Sequence, residues 1–155
     1  MMAFFLTERG RIVAALAMVT ALLVGTGWFL RSWSDDERAQ AEAFRSAIYD
    51  VEAAVGLVRR FGGALDPEAT QQVLALYEKA ATAAKAVSDP MLARIHRDLP
   101  LVWRDVFQKS TAMYVGALAV QDRDGARQAA LLQDDWFRWY GKHKGELNLP
   151  EPSKP

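Results

Sequence analysis

The chain has 155 residues, no cysteine, and 19 basic side chains that balance 19 acidic ones. This length suits a single domain with one modest core. The lack of cysteine excludes disulfides, thiolate metal sites and thiol nucleophiles. No segment concentrates basic residues into the stripe that a phosphate backbone requires, so we expect no nucleic-acid partner.

An uncharged apolar segment near the amino terminus covers residues 12–30, with the sequence IVAALAMVTALLVGTGWFL. As a helix it would be roughly 28 Å long, which is close to the hydrocarbon thickness of a bilayer. Trp28, Arg31 and Trp33 lie at its end, and such residues are typical of a membrane interface. We therefore predict a transmembrane helix that serves as the signal-anchor of a single-pass membrane protein. A cleaved signal peptide and a wholly buried core helix are the alternatives.

The orientation of this segment follows from the length of the chain behind it, because long domains cross a membrane largely regardless of charge. We predict that residues 1–11 are a cytoplasmic n-region and that the C-terminal domain is extracytoplasmic, in the periplasm if the source is a bacterium. Ala17, Ala21 and Gly25 recur at four-residue intervals, a spacing that lets two membrane helices pack closely. Ordinary composition of a membrane helix is the alternative.

The pattern of residues 34–144 predicts four amphipathic helices, here called A to D, because apolar residues recur at intervals of three and four. Gly62-Gly63 is expected to end helix A. Helix C contains Pro100, which we expect to kink the helix rather than divide it. The four starts carry N-cap signals. These are Ser34 to Glu37 for A, Asp66-Pro67 for B, Ser88-Asp89-Pro90 for C, and Asp122 or Asp124 for D.

Four such helices joined by short loops favour antiparallel neighbours. The predicted fold is therefore all-α, with one transmembrane helix followed by an up-and-down antiparallel four-helix bundle over residues 34–144. Three prolines among the last eight residues predict a Pro-rich flexible tail at 145–155.

The end of helix D would return toward the membrane in such a bundle, so we predict a membrane-proximal collar of aromatic and basic residues there. The alternative is that the aromatic residues belong to the core and the lysines to a solvated end. The collar consists of Trp136, Trp139, Tyr140, Lys142 and Lys144.

No motif predicts an enzyme, a metal site or a cofactor. His96-Arg97-Asp98-Leu99 matches the catalytic-loop tetrapeptide of protein kinases, but Trp103 stands where that motif has its asparagine, and no glycine-rich loop accompanies it. The positions three before the two histidines hold Ala93 and Tyr140, so the Glu-x-x-His pairs of di-metal bundles are absent. We interpret His143 as a residue that interacts with the end of helix D.

Trp103, Phe107 and Tyr114 widen the apolar stripe of helix C. We predict that they form a partner-binding face, and the alternative is that they complete the core. The first functional hypothesis is accordingly a membrane-anchored interaction or scaffold protein without enzymatic activity, an accessory component of an envelope assembly. Its expected partners are the lipid bilayer and either another protein or a second copy of the chain.

The second functional hypothesis is a small-ligand sensor or carrier that passes a signal to a partner membrane protein. A transmembrane helix that leads into a four-helix bundle resembles, in architecture only, the ectodomains of bacterial chemoreceptors and sensor kinases. Arg94, Arg97 or Arg104 would bind an anionic ligand in this case.

Overall fold

Every regular element in the described part of the chain is helical, as the spacing of apolar residues predicted. The structure is a computed structural model that describes residues 32–61 and 65–152. Six α-helices and one π-helical segment lie within these ranges. They are α1 (Asp35–Arg60), α2 (Pro67–Lys85), α3 (Asp89–Ile95), α4 (Leu99–Val102), the π segment (Trp103–Gln108), α5 (Lys109–Ala119) and α6 (Arg123–His143).

The predicted N-caps of three helices are confirmed. The Asp66 carboxylate accepts a hydrogen bond from the amide of Ala69 at 2.7 Å and begins α2. Ser88 begins α3 in the same way. Of the two candidates for α6, the cap is Asp122, whose Oδ1 accepts from two backbone amides at 3.0 Å. Each cap satisfies amide groups that have no partner within the first helical turn.

The prediction of a single-pass membrane protein is corrected. Within residues 32–61 and 65–152, no helix has the length and apolar character needed to cross a bilayer. Residues 12–30, on which the prediction depended, lie outside the described residues, as do Ala17, Ala21, Gly25, Trp28 and Arg31. The signal-anchor and periplasmic assignments derived from that segment are withdrawn with it. The two longest described helices, α1 and α6, are amphipathic, since charged residues recur along them from the first turn to the last.

The expected kink in helix C is instead a break between two helices. α3 ends at Ile95, and His96 has an extended backbone with φ −161° and ψ 136°. Pro100 then lies in the first turn of α4, where its missing amide hydrogen costs no hydrogen bond. The proline therefore starts a new helix and does not bend an existing one.

A π-helical segment follows α4 without interruption and changes which residues face inward. Leu99, Trp103, Phe107 and Thr111 are spaced by four residues, and each is fully buried. A four-residue step turns an α-helix by about 400°, so three such steps would drift across its surface. The wider π turn keeps these four side chains on one face. Val120, directly after the last residue of α5, is 74% exposed.

Residues 35–61 and 65–152 form one compact unit in which α1 packs on α2, α2 on α5, and α5 on α6. Its core contains a cluster of aromatic rings among smaller aliphatic side chains. Trp103 stacks on Phe107 with ring centroids 4.1 Å apart, and Phe44 lies 4.8 Å from Trp103. Trp136 of α6 meets Phe107 edge to face at 4.8 Å. Large rings that interlock in this way contribute both burial and specific geometry.

Part of the predicted flexible tail packs against the helices. The amide of Asn148 donates to the carbonyl of Ile95 at 3.0 Å, and its side chain donates to the carbonyl of Arg94 at 3.4 Å. The Arg45 guanidinium donates to the carbonyl of Pro150, which is buried. Residues 148–150 therefore lie along α1 and the end of α3.

Candidate functional site

A groove lies between the C-terminal half of α1 and the middle of α6. The apolar stripe of α1 loses burial toward its C-terminal end, since Val51 is fully buried, Val55 and Val58 are half-buried, and Phe61 is 40% exposed. Phe137 of α6 forms the opposite wall. Two adjoining hollows of about 170 and 400 Å³ open to solvent here. The groove is therefore an apolar surface that this chain leaves partly uncovered.

Polar side chains form the floor of the groove. Tyr77 of α2 stacks on Tyr114 of α5 with ring centroids 4.5 Å apart. The Tyr77 hydroxyl donates to Oε1 of Gln133 at 2.9 Å. Burial raises the pKa of Tyr77, and the neighbouring Tyr114 adds to the effect. Burial also raises the pKa of Tyr114, as does the negative charge of Asp134 on the rim. Both hydroxyls therefore remain protonated and able to donate.

One amide nitrogen in this floor lacks a hydrogen bond. Gln133 is 2% exposed and lines the smaller hollow. Its Nε2 is one of two buried side-chain atoms without a partner among the described residues; the other is Nε1 of Trp136, in the aromatic core. A buried donor without a partner costs about 1–3 kcal/mol. An acceptor that entered the hollow would remove this cost.

The predicted partner face on helix C lies mostly inside the protein. Trp103 and Phe107 are fully buried, and Nε1 of Trp103 donates to the carbonyl of Ala84 at 3.3 Å. Tyr114 is half-buried and belongs to the floor of the groove. The burial of Trp103 and Phe107 agrees with the alternative that these residues complete the core.

The predicted collar residues divide in the same manner. Trp136 is fully buried, whereas Trp139 and Tyr140 are half-buried and stack on it with centroids 5.8 and 5.5 Å away. Lys142 and Lys144 are exposed. Trp33, which was predicted to lie at a membrane interface and not in the collar, is half-buried. The structure thus brings the three collar aromatics together as an extension of the core, with the lysines in solvent.

The three arginines proposed to bind an anion do not form one pocket. Arg94 pairs with Glu37, Arg97 lies 3.5 Å from Asp98, and Arg104 lies 3.1 Å from Asp105. An anion at any of them would be next to a carboxylate, whose negative charge opposes its binding.

A cluster that the sequence analysis missed lies at the end of α6. His96, His143 and Glu146 each place one potential ligand atom within 4.8 Å of the other two. Nδ1 of His143 lies 2.9 Å from Oε2 of Glu146, and Nε2 of His96 lies 3.7 Å from the same oxygen. The hydrogen bond with His143, and then the charge of that ring, lower the pKa of Glu146. The carboxylate is therefore well suited to stay ionised between two imidazoles.

The sequence did contain one signal of this cluster. Glu146 follows His143 by three residues, a spacing at which two side chains can meet within one turn, and it lies in the turn directly after α6. The Glu-x-x-His pattern of di-metal bundles has its carboxylate before the histidine and so does not include this pair. The approach of His96 across the fold has no local signal at all.

Comparison of this chain with protein-family models, with curated proteins and with solved structures found no match. The function proposed below therefore depends on the geometry of the described residues.

Proposed function

We propose that this protein is a non-enzymatic interaction protein whose α1–α6 groove binds an amphipathic helix of another protein. In this proposal α1, α2, the continuous helix from Leu99 to Ala119, and α6 are the members of an up-and-down antiparallel four-helix bundle. The main observation that supports the proposal is the partly uncovered apolar groove with an unpartnered amide in its floor.

The apolar walls of the groove favour a helical partner. Val55 and Val58 are three residues apart on α1, so they form one ridge, and Phe137 faces them from α6. A partner helix that placed apolar side chains at the same spacing would bury all three residues. Because a fully buried Val or Phe contributes about 1.5–3 kcal/mol relative to an exposed one, completing their burial is a substantial driving force.

The polar groups of the groove indicate which residues the partner helix needs where it enters the smaller hollow. Nε2 of Gln133 requires an acceptor, which a hydroxyl or carbonyl oxygen supplies. Arg59 and Asp134 line the same hollow and carry opposite charges. They favour a partner with an acidic residue facing Arg59 and a basic residue facing Asp134, since complementary charges set register and orientation.

The openness of both hollows favours a partner helix over a small ligand. Ligand sites commonly enclose 70–90% or more of the bound molecule's surface. The smaller hollow, at about 170 Å³, is below the usual range for such sites, and the larger one is a surface depression beside it. A sensor or carrier of small molecules would require a more enclosed cavity.

A pair of photo-crosslinking variants tests the proposal. A photoreactive phenylalanine analogue at position 137 lies in the groove, and the same analogue at position 131 replaces Leu131, which is 62% exposed on another face of α6. In cells of the source organism we expect the first variant, and not the second, to crosslink to one defined protein. A helical peptide from that protein should then bind the purified chain.

A substitution within the groove completes the test. Val58→Asp should weaken binding of the peptide about tenfold or more while the melting temperature changes little, because Val58 is only half-buried. Equal crosslinking at positions 137 and 131, or unchanged binding by Val58→Asp, would contradict the proposal. If the crosslinks join only two copies of this chain, the groove mediates self-association and does not bind another protein.

A further inference from the structure

We infer that His96, His143 and Glu146 form a binding site for a divalent transition-metal ion of the Zn²⁺ class. The site joins the connection between α3 and α4 to the end of α6. This inference is independent of the α1–α6 groove, which lies on other residues.

The residue types suit this class of ion. Imidazole nitrogen and carboxylate oxygen are the common ligands of Zn²⁺ in proteins without thiolates. Two histidines and one carboxylate also leave at least one coordination position for water or a further ligand. Glu146 is exposed, with 64% of its side chain accessible, so solvent reaches the position facing it.

The separations of the candidate ligand atoms are close to those that an ion requires. With metal–ligand bonds of about 2.0–2.2 Å, two atoms on a tetrahedral ion lie roughly 3.4 Å apart. The distances from Oε2 of Glu146 are 2.9 Å to Nδ1 of His143 and 3.7 Å to Nε2 of His96. Since one atom from each of the three residues lies within 4.8 Å of the others, side-chain rotations of modest size complete the triad.

Backbone hydrogen bonds outside the triad hold the segment with His96 close to the segment with His143 and Glu146. The chain after Glu146 is joined to the chain before His96 by the hydrogen bond from the Asn148 amide to the carbonyl of Ile95, at 3.0 Å. On the other side, the Glu146 amide donates to the carbonyl of His143 at 2.8 Å. Both are backbone bonds that use none of the ligand side chains, so they position the two segments for binding, and the entropic cost of closing the site is reduced.

An aromatic side chain packs against both imidazole rings. Trp139 contacts both, with ring centroids 5.4 Å from His96 and 4.9 Å from His143. The side chains of His96 and His143 are only 13% and 19% exposed. Rings held in this way lose little freedom when they coordinate an ion.

Two hydrogen bonds must change when an ion binds through Nε2 of His96, Nδ1 of His143 and Oε2 of Glu146. The bond of 2.9 Å between Nδ1 of His143 and Oε2 of Glu146 gives way to their bonds with the ion. The amide of Asp98 donates to Nδ1 of His96 at 3.2 Å, which leaves the proton of the neutral ring on Nε2. Coordination at Nε2 requires the opposite tautomer, so that this long hydrogen bond is lost. The Asp98 amide therefore reports occupation of the site, although it is not a ligand.

Titration of the untagged full chain with Zn²⁺ and Co²⁺ tests the inference. The chain contains only two histidines, so every histidine-dependent binding event belongs to this triad. We expect one Zn²⁺ per chain by calorimetry, a higher melting temperature with Zn²⁺, and visible absorption from bound Co²⁺. In nuclear magnetic resonance spectra, both imidazole signals and the Asp98 amide signal should change together as Zn²⁺ is added.

Conservative variants separate this site from adventitious binding. His96→Gln and His143→Gln should each weaken Zn²⁺ binding about tenfold or more, and Glu146→Gln should also weaken it. Glu151→Gln, an exposed carboxylate in the same terminal segment, should bind as the unaltered chain does. Unchanged affinity in the double variant His96→Gln/His143→Gln would overturn the inference. For the unaltered chain, a Zn²⁺ titration that moves neither or only one imidazole signal would overturn it as well, whether or not the variants fold.

Discussion

Nζ of Lys79 on α2 lies 3.0 Å from Oδ1 of Asp50 on α1. The two partners differ sharply in environment, because the Asp50 side chain is 2% exposed whereas that of Lys79 is 66% exposed. Ser46 donates a second, longer hydrogen bond to the Asp50 carboxylate at 3.4 Å. Lys79 thus provides the main compensation for a carboxylate that α1 buries against α2.

Removing the Lys79 charge should therefore destabilise the protein. We expect Lys79→Met, which keeps the apolar stem, to lower the free energy of unfolding by about 1–2 kcal/mol, because it leaves Asp50 buried without its charged partner. The exposure of Lys79 keeps the effect at the lower end of values for buried pairs. Lys85→Met, on an exposed position of the same helix, is the control and should change stability by less than about 0.5 kcal/mol. Equal effects in urea unfolding would contradict this role of Lys79.

Truncation of Trp103 should cause the largest loss of stability among single substitutions in the aromatic core. Trp103 is fully buried and contacts Phe44, Phe107 and Trp136. We expect Trp103→Ala to lower the free energy of unfolding by about 3–5 kcal/mol. Leu101→Ala, at a position that is 61% exposed, should have little effect. A small change in chemical unfolding of Trp103→Ala would mean that this side chain is not part of the core.

Stability should fall as the pH rises above about 10, the ordinary pKa of tyrosine. Burial raises the pKa values of Tyr77, Tyr114 and Tyr140 in the folded protein. Between the ordinary and the raised values the unfolded chain has lost protons that the folded chain retains, so alkaline pH favours unfolding. The loss of stability between pH 8 and pH 11, measured by urea unfolding, should be smaller in Tyr77→Phe. Tyr49→Phe is the control because Tyr49 is 71% exposed, and it should leave that loss unchanged.

Two glycine substitutions should have opposite effects. A Cβ atom at Gly125 would lie 2.6 Å from Oδ2 of Asp122 and 3.3 Å from Cβ of Ala117. Gly125→Ala should therefore disturb the N-cap of α6 and lower the melting temperature. A Cβ atom at Gly116 meets nothing within 4 Å, so Gly116→Ala should stabilise the helix by about 0.5–1 kcal/mol. Stabilisation by both substitutions would show that the Asp122 cap adjusts without cost.

Gln133→Leu should separate stability from partner binding. The substitution removes one unpartnered buried donor, Nε2 of Gln133, but takes away the acceptor of another, the buried Tyr77 hydroxyl. The two effects oppose each other, so we expect the free energy of unfolding to change little. Binding of the partner peptide should weaken, because the groove then lacks the donor that selects its central residue. If Gln133→Leu binds the partner peptide as tightly as the unaltered chain does, Gln133 has a purely structural role.

Signals within one helical turn were sufficient to predict where three helices begin. Asp66, Ser88 and Asp122 bond to amides two or three residues further along the chain, so their effect depends only on neighbouring residues. The all-helical class follows in the same way from apolar residues at intervals of three and four. Pro100 shows the limit of this reasoning, because its position in a helix, and not its presence, decides whether it bends or begins one.

The contacts that carry the proposed functions depended on tertiary structure. His96 and His143 are separated by 46 intervening residues, and only the packing of α6 beside the α3–α4 connection brings their rings to 5.2 Å. The inward face of the π segment was likewise decided by how Trp103 and Phe107 fill the core. The amino-acid sequence by itself determined the all-helical class and the caps at Asp66, Ser88 and Asp122, because these depend on short-range patterns and bonds. The groove and the histidine cluster arise from long-range packing, in which the relative placement of whole helices selects which side chains meet.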